Sequence, residues 1–446
     1  MDSINLKTSV VLATLMCLFN GMASSQSVKE PAPDSVTVSA PLMQVKDTTY
    51  NNDATGELTP GRGFQIAKNE FASLNISIYA MARYLNQMPG DQVWQDHLGR
   101  DREFVGRNDF HWHRSMIWFS GFVGTPKFTY TATVWTVMTT QQTLLYGTLM
   151  YKFNKSITWG MGIYPNLSVR TMQGPFPFFT STDRTMAEDA LRGGFTNGMF
   201  LRGEVLPRLH YSLMLGNNLS TLGVKSAKLT RDLSKSASLT WMPTTGEFGP
   251  RGGHGDFEHH NKMATRFGAS YCYSREDRFN NTGEPSPDNT QVRMSDGVLF
   301  FETGALADGV TVDKATYQML AVDAAVKYKG FYFFTEVYLR SLTDFVADGP
   351  VPLDRIDDNG YTLQISYMVV PRILNVYAVN SMIIDEFERN PYEVGGGVNI
   401  YPIKQRNWRL NLQATHIEKS AAGGTFGLYT AGQTGTTFTF GVDMLL

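Results

Sequence analysis

Cysteine is almost absent. The 446 residues hold two, and Cys17 falls within an N-terminal stretch built like a cleaved export signal, which leaves Cys272 as the one thiol of the mature chain. No intrachain disulfide framework can form from it. Cys272 lies in an alternating segment, 262–274, without neighbours that would activate a thiolate, so it reads as a packed or lipid-facing side chain. Charge is also scarce, at 18% Asp, Glu, Lys and Arg, below the roughly 25% of an average soluble chain. The net charge of −2 is unchanged if Asp2 and Lys7 leave together, and so small a balance gives nucleic-acid binding no support. Helix-length apolar runs are missing as well. The uncharged stretch 128–151 could span a bilayer by length, but it carries eight threonines and is broken at Thr139-Thr140-Gln141-Gln142-Thr143, which fits two strands and a turn. No Gly-x-Ser-x-Gly elbow marks a hydrolase nucleophile, so the chain is read as a non-enzyme.

What is present points to export and to β-structure. Lys7 is a weak positive n-region, residues 8–19 are an apolar h-region, and Ala23-Ser24-Ser25 supplies small residues for cleavage before Gln26. A lipoprotein signal at Leu15-Met16-Cys17 is disfavoured by bulky Met16. Three domains are expected: a signal peptide at 1–25, a polar periplasmic extension at 26–69, and a barrel at 70–446. From Glu70 onward, alternating segments of about nine to thirteen residues are separated by turns, the spacing of tilted membrane strands. The last runs to the final residue, with Phe438, Phe440, Val442, Met444 and Leu446 on one face. Aromatics at 12% and 41 glycines, with a mean hydropathy of only −0.21, suit strands whose greasy and wet faces cancel. About seventeen candidate strands can be marked, including a weaker one at 297–305. Barrels of this kind close with an even number, so the expected fold is all-β, a transmembrane antiparallel up-and-down β-barrel of about 16 strands, with 18 as the next choice.

Charge assigns the faces, because an Arg or Lys pointing into lipid near the midplane costs about 2 to 4 kcal/mol. Arg83, Arg202, Glu204, Asp323, Lys327, Lys329, Glu336 and Arg340 are therefore expected inside. Leu320, Val322, Ala324 and Val326 are expected outside. Lys329-Gly330 and Pro371-Arg372 read as short periplasmic turns, and the long polar segments 244–261 and 276–296 as extracellular loops. Residues 26–63 are too few for a globular plug of the kind that fills larger barrels. His111 and His113 share a strand face, and His254-Gly255-Asp256-Phe257-Glu258-His259-His260 is dense in ligand types. Histidines lining a wet lumen or a solvated loop account for both without metal, and no cofactor is implied.

Between strands at 157–164 and 195–206 lies a long interruption with Gly162 and Pro165, then Phe178-Phe179-Thr180-Ser181-Thr182-Asp183-Arg184, then Gly198 and Gly203. In this order the chain resembles the phosphate-selective porin family of the O and P type, more loosely from about Glu70 to Leu446 through Arg83-Tyr84-Leu85-Asn86-Gln87, Asp296-Gly297 and Lys327-Tyr328-Lys329-Gly330. The resemblance implies a homotrimeric channel in the outer membrane of a Gram-negative bacterium, its third loop folded inward to narrow the pore. The constriction would then hold Arg170, Asp183, Arg184, Glu188, Asp189 and Arg192. Two departures stand against phosphate specificity. Tyr164-Pro165-Asn166-Leu167 lacks the lysine that family members carry before this turn, and the loop balances three bases with three acids, whereas anion selection favours an excess of bases. Passive diffusion of small hydrophilic solutes or ions, with anions such as phosphate among the candidates, is the expected function, with lipid and the barrel assembly machinery as partners. A receptor or adhesin acting through its long loops is the alternative, and a barrel enzyme a weaker one.

Overall fold

Period-2 alternation resolves into nineteen strands. In the computed structural model, described over residues 56–446 except 138–141, 222–228, 230, 282–291 and 424–427, these are β1 Phe64–Lys68, β2 Ser73–Met88, β3 Gln92–Gln95, β4 Asp101–Phe104, β5 Asn108–Val123, β6 Thr125–Val137, β7 Gln142–Lys152, β8 Thr158–Pro165, β9 Phe195–Leu206 and β10 Leu209–Gly216. The second half adds β11 Ser234–Trp241, β12 Ala264–Asp277, β13 Val312–Tyr328, β14 Phe331–Ala347, β15 Ile356–Val370, β16 Leu374–Ile384, β17 Tyr392–Ile400, β18 Trp408–Glu418 and β19 Gly435–Leu445. β2 and β5 to β19 pair antiparallel, each with its neighbour in the chain, and β19 pairs back onto β2 from Thr436↔Met88 to Leu445↔Tyr79. Setting aside β1, β3 and β4 leaves sixteen strands in the closed ring, and closure removes every unpaired edge from the membrane.

The wall follows the charge rule. Along β14, Tyr332, Phe334, Glu336, Tyr338 and Arg340 are buried, while Val337 and Leu339 are exposed to the outside. Val322 and Leu320 pair with Val337 and Leu339 on the outer face, and Asp323 meets Glu336 on the inner one. On the inner face, opposite charges pair in register between neighbouring strands, as Arg340 with Asp358 at 2.5 Å and Arg409 with Asp443 at 2.8 Å. Outside, Trp159, Trp241, Tyr328, Phe331, Tyr367 and Trp408 lie at or near strand ends around one rim. Amphipathic rings of this kind settle at the bilayer–water boundary.

That rim carries the short turns Gly124, Pro207-Arg208, Lys329-Gly330 and 371–373. Segment 242–263 emerges at the same end, joining β11 to β12, so its expected place as an extracellular loop cannot hold together with the expected periplasmic place of those turns. Its polarity is genuine, but polarity does not say which rim a segment leaves, and much of it is buried. The expected strand at 297–305 is irregular instead: Val298, Phe300 and Phe301 turn inward and join the largest apolar cluster. Lys329, expected inside, occupies the turn itself, exposed and with φ of 49°.

The signal peptide and most of the extension lie outside the described residues. The short 3-10 turn Gly56–Leu58 is buried inside the barrel, and β1 pairs with Ser73 to Ile76 of β2. Asn75 pairs with Ser120 of β5 on one side and Gln65 of β1 on the other, so β1 extends the seam beyond the end of β19.

Candidate permeation site

The third loop at the long-loop end, 166–194, leaves β8, crosses the bore and returns to β9. Tyr164 and Pro165 close β8, the helix Met186–Leu191 (α1) forms the inner turn, and Gly193 fits against Ser168 and Asn166. The loop is fastened around the far wall. Arg409 of β18 donates to the Phe179 and Ser181 carbonyls at 2.7 and 3.0 Å. Asn399 of β17 donates to the Thr180 carbonyl at 2.8 Å, and Tyr317 of β13 to that of Leu191 at 2.5 Å. Two backbone amides of α1 donate outward, Met186 to Glu393 at 2.7 Å and Ala187 to the Ser381 hydroxyl at 3.1 Å. Paired this way, these backbone groups of the loop can lose their water without being left stranded.

The expected constriction residues separate into distinct roles in this geometry. Asp183 accepts from Arg114 of β5 at 2.6 Å, whereas Arg184 donates to Glu57 at 2.6 Å and to the Thr171 hydroxyl at 2.8 Å. Asp183 and Arg184 are only loosely paired with each other, at 4.0 Å. Burial alone would push the Asp183 carboxyl up, but Arg114, His113 and Arg184 outweigh it and hold it well below the usual range. Glu188 accepts from Thr171, and burial pushes it up to about 7 against the pull of Arg184. Arg192 donates to Asp189 at 3.2 Å. Arg170 gives its backbone N–H to Glu336 at 2.8 Å and a guanidinium nitrogen to the Gly252 carbonyl.

Of the residues expected inside, Arg83, Asp323, Lys327, Glu336 and Arg340 are buried in the lumen. Arg202 lines a cavity there, and Glu204 sits at the short-turn end of β9 beside Lys155 at 3.5 Å. Arg114 was not foreseen. In the run His111-Trp112-His113-Arg114 strict alternation aims Arg114 at lipid, but a bulge opposite Met81 and Ala82 makes His113 an extra residue and turns Arg114 inward. A charged side chain assigned to lipid was the signal available in the sequence.

On the short-turn side of the third loop is a cavity of about 60 Å³. Arg170, Arg202, Arg251, Arg266, His210 and Gln173 line it together with hydroxyls, and none of its described lining residues is Asp or Glu. Arg266 is paired with Asp323 just behind the surface. A second cavity of about 370 Å³, between residues 58–60 and strands β2, β5, β6 and β7, shares Arg202 with the first. Ligand atoms of Asp256, Glu258 and His260 lie within 4.8 Å of one another. Their hydrogen bonds are already taken up, His260 with Asp256 and Glu258 with Arg406 at 3.0 Å.

A sealed ring of sixteen strands, apolar outside and charged within, bridged by its third loop, defines an outer-membrane β-barrel of the Gram-negative type. No family model matches the chain, and no curated protein is detectably similar in sequence. Among solved structures it is similar to outer-membrane-expressed OmpT of Vibrio cholerae, with a TM-score of 0.50 and 10% identity over 85% of this chain and 100% of that one. An anion-selective porin from Comamonas acidovorans has a TM-score of 0.49 and 10% identity, covering 84% and 100%. The outer membrane channel DcaP of Acinetobacter baumannii gives 0.47 and 12%, covering 86% and 99%. At these identities the likeness concerns fold.

Proposed function

We propose that this barrel is a porin-type channel for passive diffusion of small hydrophilic solutes, that it performs no chemistry, and that it prefers anions. The arginine-lined cavity carries the reading. Four guanidinium groups converge from the third loop, the segment 242–263 and strands β9 and β12, and no carboxylate shares their surface among the described residues. A hydrated anion exchanging water for several such donors keeps most of its solvation, whereas a cation meets a repulsive field. The balanced charges of the third loop do not oppose this, because Asp183, Glu188 and Asp189 are committed to Arg114, Thr171 and Arg192. Phosphate is one anion the cavity would accept, and nothing in its lining singles phosphate out.

The short-turn end would face the periplasm, and a homotrimer, implied by the resemblance to the O and P type porins, completes the proposal. Reversal potentials of the purified protein in a planar bilayer under a tenfold KCl gradient test it. A potential of the sign set by chloride is expected, and one set by potassium overturns the anion preference.

A further inference from the structure

The segment 242–263 does more than connect β11 to β12. It rises from the short-turn rim as an arch whose tip, Pro250–Gly252, is a single 3-10 turn. At that tip Arg251 gives one guanidinium nitrogen to the Phe176 carbonyl of the third loop at 3.0 Å and the other to the Pro60 carbonyl at 2.8 Å. The neighbour of Pro60 fixes where that is: a Cβ on Gly61 would lie 2.9 Å from Leu445 and 2.0 Å from the Leu446 carbonyl, so Gly61 rests on the seam of β19 and β2. In the ring, that seam is eight strands from the β11–β12 pair in either direction, which is the opposite side of the barrel. The arch therefore spans the bore.

Its path is specified by residues suited to little else. Gly249 and Gly252 have φ of 80° and 57°, and Arg251, at 56°, holds a left-handed conformation that non-glycine residues seldom adopt. Gly253 is where the arch touches the third loop, since a Cβ there would stand 2.6 Å from that of Phe178. Lys327 of β13 reaches in to donate to the Phe248 and Gly253 carbonyls at 2.8 and 2.6 Å, tying the two feet of the tip to the wall. Arg406 donates to Glu258 and to the His254 carbonyl, and the His254 N–H to the Phe178 carbonyl at 2.8 Å.

We infer that this arch is a second constriction, entering from the end opposite to the third loop and held by the wall as well as by that loop, and that it rather than the third loop alone limits conductance. The inference rests on the channel reading. A soluble hairpin turn needs two to five residues, and the excess chain here is spent on crossing the water path and on delivering Arg251 to the arginine-lined cavity. Solutes pass beside the arch when it is seated and pass faster when it is shortened.

The test compares single-channel conductance of the full chain with that of a variant lacking residues 247–258, both checked for heat-modifiable mobility as a sign of a closed barrel. At least a twofold rise in unit conductance is expected. Lys327→Met, which keeps the whole segment but removes its wall tether, is expected to give the native unit conductance with more open-channel noise. Equal conductance in the shortened and full-length barrels overturns the inference while leaving the channel reading intact. Silence from both folded proteins overturns the two together.

Discussion

Arg114 on β5 and Asp183 on the third loop meet at 2.6 Å with both side chains buried, and this contact joins the loop to the wall three strands from β8, where it departs. Removing one member of a buried pair leaves an uncompensated charge, a loss of about 3 to 5 kcal/mol. Arg114→Gln should therefore detach this part of the loop, with frequent brief closures and substates in single-channel records. The double change Arg114→Gln with Asp183→Asn should recover much of the quiet behaviour, because no buried charge is then left alone.

Acidity should steady the same loop through Glu188. Its carboxyl is raised by burial to about 7 from an ordinary value of 4.5, among Thr171, Arg184, Arg192, Asp189 and Glu336. A folded-state value above the unfolded one means that the stabilising contribution is complete below about 4.5 and lost as pH climbs through about 7. Substate frequency should then increase between pH 5 and pH 8, and Glu188→Gln should flatten that slope.

The inner arch responds in a later window. Burial opposes the charge of His260, but Asp256 and Glu247, the latter at 3.1 Å, raise it from 6.5 to about 9. The ion cluster at the base of the arch is thus complete below about pH 6.5 and fails as pH rises through about 9. Conductance noise that rises between pH 8 and pH 10, and disappears from that range in His260→Gln, is the expected signature. The two windows let loop and arch be told apart in one titration.

Facing is testable without conduction. Val337→Arg would place a guanidinium on the outer face of β14 and should cost about 2 to 4 kcal/mol in urea refolding into vesicles. Thr335→Ser, on the same outer face, should cost far less. Comparable losses in the two would mean that the faces of β14 are reversed.

Much of this was legible in the sequence where physics acts locally. Alternation is enforced at every step by lipid on one side and water or protein on the other, so β13, β14 and β19 could be marked to within a few residues, and Asp323, Lys327, Glu336 and Arg340 placed inside the first two. What escaped depends on long-range partners. Val298, Phe300 and Phe301 have a strand-like composition, yet they satisfy it by filling the lumen. Residues 244–261 are polar because their polar groups meet Lys327, Arg406 and the third loop, which composition does not distinguish from meeting water. The Asp183-Arg184 pair was visible, but its true partners, Arg114 and Glu57, come from a bulged strand and from the polar extension.

The central claim is an aqueous path through this closed ring, and stepwise conductance tests it most directly. Purified, heat-modifiable protein added to a planar bilayer in 1 M KCl should insert in uniform current steps, with larger steps from the variant lacking residues 247–258. A bilayer that stays electrically silent with both folded proteins, at concentrations where their insertion is confirmed by protease protection, would contradict it.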